Sequence, residues 1–287
     1  MTTLPERAGR RCHAVLNPIH STVFFTPELP AEFAALGLRD PAAQYFAARS
    51  APLGRVGAAT VTATFYNFKH ELIARYIPAA WDVVSPEEAL AARLRAADAL
   101  LRRLLGEEAV ESKEMAEAAD LALRATEACT PSARPLYAAN AALPVPDAPH
   151  LAYWYAATLL REHRGDGHLA VLLAAGLDGL EAQATHTASG KGMSPQWVLR
   201  TRGWTEPEWE AARERLRERG LLDAEGELTA EGVELRRHLE DETDRLDRAP
   251  YEHLGEAGVA RLTELAGGFT AAVLAAGGFP ADLIGKR

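Results

Sequence analysis

The spacing of apolar and polar positions predicts a mainly α-helical chain, and the residues between the apolar-periodic stretches mark where helices start and stop. The first 30 residues read as irregular, because Pro5, Pro18, Pro27 and Pro30 stand against a long helix. Asp40-Pro41 opens a helix through Arg49, and Ser50-Ala51-Pro52-Leu53-Gly54 breaks it. Val56 to Tyr66 is small and apolar and reads as a buried helix, with β-branched Val61, Thr62 and Thr64 keeping a strand open as the alternative. A short helix over Glu71–Tyr76 ends at Pro78. Ser85-Pro86-Glu87-Glu88 is a capping box with proline at the first helical position, so a helix is expected to about Leu105. Another is expected over about Glu107–Cys129, and the second part of Pro131–Pro149 reads as a linker.

Beyond the linker, His150–His163 reads as a helix, Arg164-Gly165-Asp166-Gly167 as a break, and His168–Thr187 as a long apolar helix. Ser189-Gly190-Lys191-Gly192 reads as a loop. Ser194-Pro195 caps a short helix to Arg202, and Gly203-Trp204 turns the chain. Thr205-Glu206-Pro207-Glu208 is a second capping box, opening a helix to Arg219, with Gly220 as its C′ glycine. Leu221 to Leu228 reads as a tight hairpin, Thr229 caps a helix to about Arg248, and a last amphipathic helix covers about Gly255–Ala276. The expected division is a helical half over 1–147 and a second half over 148–287 that contains a winged-helix-like unit at 166–248.

Composition keeps this picture and narrows the partners. Apolar residues make up 48% and charged residues 25%, which is ordinary globular usage. The net charge is −9. Residues 1–147 carry 15 Lys+Arg against 17 Asp+Glu, net −2, and the remainder carries 16 against 23, net −7. Neither half has a basic excess to neutralise phosphates, which disfavours DNA as a partner. Two distant cysteines, Cys12 and Cys129, imply no disulfide framework and fit a reducing compartment. No apolar stretch follows the N-terminus in the manner of a secretory signal, and no run of 18 apolar residues suggests a membrane span. A cytoplasmic protein is the expectation, with a homodimer left open.

The order helix, turn, helix, Arg219-Gly220-Leu221-Leu222, hairpin, Leu228-Thr229-Ala230-Glu231-Gly232 resembles the winged helix of MarR-type regulators over about Asp166–Arg248. The whole chain also resembles an uncharacterised actinobacterial family with a winged-helix-like C-terminal half. The resemblance implies a DNA-binding scaffold, yet this sequence departs from it where DNA would be met. The wing tip, Asp223-Ala224-Glu225-Gly226-Glu227, is acidic and short. The counterpart of the recognition helix carries Glu206, Glu208, Glu210, Glu214 and Glu218 against Arg213, Arg215, Arg217 and Arg219, with the acidic residues leading. The halves also share an order of features. Trp81 precedes the Ser85 start as Trp204 precedes the Thr205 start, which suggests a tandem repeat folded as an internal pseudo-dimer.

Candidate chemistry concentrates at the expected glycine break. Arg161, Glu162, His163, Arg164, Asp166 and His168 flank it. A helix N-terminus there, with an arginine beside it, would suit a carboxylate or phosphate. His163, Asp166 or His168 are the acid/base candidates. The bland alternative makes Asp166 an N-cap and the Arg–Glu pairs helix ties. Tyr45, Arg49, Tyr66 and Asn67 surround the matching break in the first half and join the candidate ligand-binding set. His20, His70, His150, His238 and His253 are isolated and default to surface or capping roles. On one continuous helix His168 and His186 stand about 27 Å apart and cannot share an ion. No metal motif, nucleophile elbow or phosphate loop is present, and the cofactor stays unknown, haem included. The first reading is a cytosolic protein binding an organic, anionic small molecule. The alternatives are a MarR-type regulator binding DNA and an enzyme using His/Asp acid–base chemistry near 161–168.

Overall fold

The computed structural model describes residues 4–285, and the fold is mainly α as the pattern predicts. In chain order the helices are α1 (Ala8–Ser21), α2 (Glu28–Ala35), α3 (Pro41–Ser50), α4 (Ala58–Phe65), α5 (His70–Tyr76), α6 (Pro86–Leu105), α7 (Glu107–Val110), α8 (Lys113–Thr126) and α9 (Pro135–Ala141). They continue as α10 (Pro149–Ala174), α11 (Gly179–Ala188), α12 (Pro195–Arg202), α13 (Glu206–Glu218), α14 (Ala230–Leu246) and α15 (Arg248–Ala275). Extended pairing among the described residues amounts to two isolated antiparallel bridges, Met193 with Ile284 and Leu222 with Leu228.

Local chemistry explains most boundaries. Ser85 accepts from the Glu88 N–H while Glu88 reaches back to the Ser85 N–H, so α6 starts at its capping box. Asp40 caps α3 through the N–H groups of Ala42 and Ala43. Val56–Tyr66 resolves as the helical alternative.

Other expectations are corrected. Among the described residues up to 30 the chain is not irregular, since α1 and the start of α2 occupy most of them; residues 1–3 of that stretch lie outside the described residues. Pro30 falls in the first turn of α2, where its missing N–H has no intrahelical partner to lose, and Pro18 falls in the last turns of α1. Ala8, Cys12, Leu16 and Ile19 supply the buried helical face that outweighs the prolines. The single helix expected over 107–129 is two, because Ser112 caps a fresh start by accepting from the Met115 N–H. The last helix starts where expected, because Gly255 leaves the helical conformation at φ +76° and ψ 167° and separates it from a short helical stretch over residues 248–254 that was not expected.

The chain forms two compact units, each drawn from both halves of the sequence. Unit 1 comprises Met1–Arg55, Ala79–Gly167 and Asp244–Phe279. In it α1 packs on α15, α15 on α8 and α2 on α6, around Phe33, Phe46, Trp81, Leu100, Met115, Tyr153 and Tyr251. Unit 2 comprises Val56–Pro78, His168–Thr243 and Pro280–Arg287. In it α11 packs on α12 and α13, and α4 on α5, with Ile73, Val198, Trp209, Leu216 and Leu239 buried.

Candidate functional site

The glycine break expected at 164–167 does not exist, and α10 runs through it from Pro149 to Ala174. A mid-helix glycine costs about 1 kcal/mol, which a long and largely buried helix absorbs. At Gly167 the missing side chain serves a close approach. A Cβ there would lie 2.6 Å from Arg134 Nη1. That guanidinium donates to the His163 carbonyl and, through Nη2, to the Leu246 carbonyl at 2.8 Å. No helix N-terminus therefore faces an anion at His168.

Asp166 caps a helix, but not its own. Its Oδ2 accepts from the Tyr137 N–H at 2.9 Å, in the first turn of α9, whose N-cap residue Arg134 has no side-chain acceptor to offer. Burial, reinforced by the charge of Glu162 and opposed by the Tyr137 N–H, pushes the Asp166 carboxyl up to about 6.

The actual break lies at 175–178. Gly176 adopts φ +65°, and Asp178 opens α11 with Glu181 in a capping box. The helix expected over His168–Thr187 is thus two, with His168 on α10 and His186 on α11, and the 27 Å separation argued from one helix does not apply.

Within unit 1 the structure gathers part of the predicted set around Glu162, which is 2% exposed. Arg161 Nη1 donates to Glu162 Oε2 at 2.5 Å, and Arg49 Nη2 lies 3.5 Å from the same oxygen. Arg49 Nη1 also donates to the Tyr45 hydroxyl at 3.3 Å. Burial pushes the Glu162 carboxyl up, but Arg161 and Arg49 outweigh it and hold the group at about 2. His20 stands 4.0 Å from Glu162 Oε1, and its Nδ1 bonds Thr158 Oγ1 at 2.9 Å. Burial keeps His20 neutral, with a pKa of about 3.

Arg93 donates to Ala48 O and Asn140 Oδ1, and covers the Trp154 ring at 5.5 Å. Trp154 in turn stacks on His20, with ring centroids 6.3 Å apart. Sequence reasoning missed His20, Arg93 and Trp154. His20 and His150, expected in surface or capping roles, are both 2% exposed. The apolar period of α1, hidden behind Pro18, is the signal that places His20 inside.

The remaining candidates go elsewhere. In unit 1 Arg164 pairs with Asp244 at 2.7 Å, and His163 Nδ1 meets Asp247 Oδ1 at 2.7 Å. Burial pushes the Cys12 and Cys129 thiols up to about 11 and about 12, so neither is a ready nucleophile. In unit 2 His168 Nδ1 meets Thr243 Oγ1 at 2.8 Å, the Tyr66 hydroxyl donates to the Leu177 carbonyl, and Asn67 O accepts from Trp204 Nε1 at 2.9 Å.

Unit 2 carries a helix, a glycine turn and a helix at 195–218, where these elements were expected. Helix α12 ends at Gly203, whose φ is +80°, and α13 opens where Glu208 accepts from the Thr205 N–H (2.9 Å) and hydroxyl (2.8 Å). Trp209, Ala212 and Leu216 form the buried face of α13. Gly220, at φ +68°, ends the element, Leu222 pairs with Leu228, and Thr229 Oγ1 caps α14 through the Gly232 N–H at 3.1 Å. Residues from α5 and its approach brace the turn. Lys69 N donates to Arg202 O at 2.9 Å, Lys69 Nζ pairs with Glu208, and a Cβ at Gly203 would come within 2.7 Å of Leu72 Cβ. Asn67 O meets the turn between α12 and α13 at Trp204, while the Tyr66 hydroxyl bonds the segment before α11.

The outward ridge of α13 is a row of exposed glutamates one turn apart, Glu206, Glu210, Glu214 and Glu218. The arginines beside it are committed within unit 2. Arg213 bonds Glu210 (2.7 Å), Arg217 bonds Glu214 (2.8 Å), and Arg215 bonds Glu181 (2.8 Å) and Asp178 (2.7 Å). Arg219 bonds the carbonyls of Gly176 and Ala175.

Among the described residues no group of three His, Cys, Asp or Glu side chains is arranged to hold a metal ion, and no helix is long and apolar enough to cross a membrane. A family model described as a helix-turn-helix family matches residues 9–280. No curated protein and no solved structure gives a match.

Proposed function

We propose, starting from the fact that the chain belongs to a helix-turn-helix family, that it is a transcriptional regulator whose DNA-reading element is the winged-helix-like part of unit 2. One observation carries the reading. Helix α12, a glycine turn, α13, a tight hairpin and α14 follow one another in the order of a MarR-type winged helix, inside a chain that matches a helix-turn-helix family over nearly its whole length. Family membership thus moves the balance away from the free-standing small-molecule binder expected first. In this geometry α13 enters the major groove with its first turns toward the base edges.

The charge on α13 sets the terms of that contact. Glu206 and Glu218 meet phosphates with repulsion, and Glu210 and Glu214 occupy Arg213 and Arg217, so little counterion release is left to drive binding. Affinity for duplex is accordingly low and confined to low salt. The same acidic ridge favours a second reading, a cytoplasmic ligand-binding protein that uses the scaffold without holding DNA. Selection from a random pool of duplexes at low salt, followed by sequencing, separates the two. The regulator reading expects a defined sequence to be enriched. A pool left unenriched after repeated rounds sinks it and leaves the second reading.

The tandem repeat belongs to the same proposal. Its support is the recurrence of Trp81 before the capped start of α6 and Trp204 before the start of α13. The bridge that marks the hairpin joins Leu222 and Leu228, in the second half, so a first-half copy would be degenerate.

A further inference from the structure

We propose that unit 1 contains a binding site for a small anion, of the carboxylate or phosphoryl class, at the cluster formed by Arg49, Arg161 and Glu162 with Trp154 at its base. The argument begins with charge. Arg49 and Arg161 both pair with Glu162, Arg93 packs on the Trp154 ring beside them, and Asp166 is a second carboxylate whose charge acts on Arg161 and Glu162, while buried His20 is neutral. One cation more than anions in a largely water-excluded cluster is a costly arrangement unless a counter-charge completes it.

The second observation is an unspent donor. Trp154 is 2% exposed, and its indole Nε1 has no hydrogen-bond partner, although the ring lies against both Arg93 and His20. Buried indole N–H groups ordinarily find an acceptor. A water molecule would satisfy that N–H but would leave the excess of guanidinium charge as it is. An anion answers both.

Access and shape follow from the same residues. The Arg161 side chain is 28% exposed, and among the described residues its hydrogen bonding is confined to Nη1 on Glu162. The remaining edge of its fork fits two oxygens of one anion. Phe24 packs edge-on to both His20 (5.6 Å) and Tyr45 (5.3 Å), placing an apolar wall beside the charged centre. A carboxylate carried on a small apolar body suits this lining, as does a phosphoryl group of similar size. The site lies 161–162 along α10, upstream of the glycines, and owes nothing to a helix terminus. It does not rest on the duplex-binding reading.

The test uses the full-length protein without DNA. Thermal unfolding is followed in inorganic phosphate and in acetate, each against chloride at matched ionic strength, for wild type, Arg161→Gln, Arg161→Lys and Arg95→Gln. Arg95, in unit 1 and paired with Glu32 at the surface, controls for general anion and charge effects. At saturation the wild type is expected to gain about 3–6 °C. That gain disappears in Arg161→Gln, is reduced in Arg161→Lys, which keeps the charge but loses the fork, and is unchanged in Arg95→Gln. A gain with phosphate alone assigns the phosphoryl class, and one with acetate alone the carboxylate class. No gain with either ion, or an equal gain in Arg161→Gln, overturns the proposal. Because no duplex is present, this failure and a failure of the regulator reading are separate results.

Discussion

At the scale of single residues, Asp166 shows how a polar side chain singled out for chemistry can be structural. Its carboxylate caps α9 from α10, and burial holds its pKa near 6 against an ordinary value of 3.8. The folded state therefore binds this proton more tightly than the unfolded chain does, so the group's contribution to stability falls as the pH rises from about 4 to 6 and stays lost above. Asn keeps an acceptor for the Tyr137 N–H without the buried charge. Asp166→Asn is expected to be more stable than wild type at pH 8 by roughly 1–3 kcal/mol, with the advantage shrinking toward pH 4. Urea unfolding at the two pH values checks this. A variant weaker than wild type at pH 8 would mean that the Asp166 charge stabilises the fold, with its attraction to Arg161 outweighing its burial.

At the scale of elements, what could be read from sequence tracks how local the determinant is. The capping boxes at Ser85 and Thr205, the C′ glycine at 220 and the Thr229 cap are short-range chemistry, and they sit where expected. The α9 start cannot be read that way, because its acceptor comes from Asp166, 29 residues away. The glycines of α10 misled for the same reason, since a glycine can mark a break or a close approach and the neighbour that decides it, Arg134, is distant in sequence. The two glycines separate these cases experimentally. Gly165→Ala, with nothing nearer than 3.5 Å to the new Cβ, is expected to be neutral or to stabilise by up to about 1 kcal/mol. Gly167→Ala places a Cβ 2.6 Å from Arg134 Nη1 and is expected to destabilise by about 1–3 kcal/mol despite the better helix propensity. Chemical denaturation of both variants reads the difference. Stabilisation at both positions would refute the close-approach account, and a loss of helical circular dichroism at neither is expected.

At the scale of the whole molecule, the sequence makes the helix-turn-helix plain and leaves the cluster around Glu162 half visible. Arg161, Glu162, Arg49 and Tyr45 could be named from charge and a suspected repeat, and packing brings them together. Tyr66 and Asn67, chosen by the same reasoning, instead support unit 2. Arg93 and Trp154 were out of reach because their burial depends on which faces of α6 and α10 turn inward, whereas the apolar period of α1 that places His20 inside was hidden behind Pro18. The acidic character of α13 was open to reading throughout, and the structure adds that its glutamates share one outward ridge while its arginines are tied down.

The central claim is that this ridge is the surface a duplex meets, and that its charge limits the contact. Fluorescence anisotropy of a labelled duplex at low salt, comparing wild type with the combined variant Glu206→Gln, Glu210→Gln, Glu214→Gln and Glu218→Gln, tests it directly. The account predicts weak binding by wild type and about tenfold or more tighter binding by the variant, since loss of Glu206 and Glu218 removes repulsion and loss of Glu210 and Glu214 releases Arg213 and Arg217 to nearby phosphates. Equal affinity of the two proteins, or binding by neither, would contradict it.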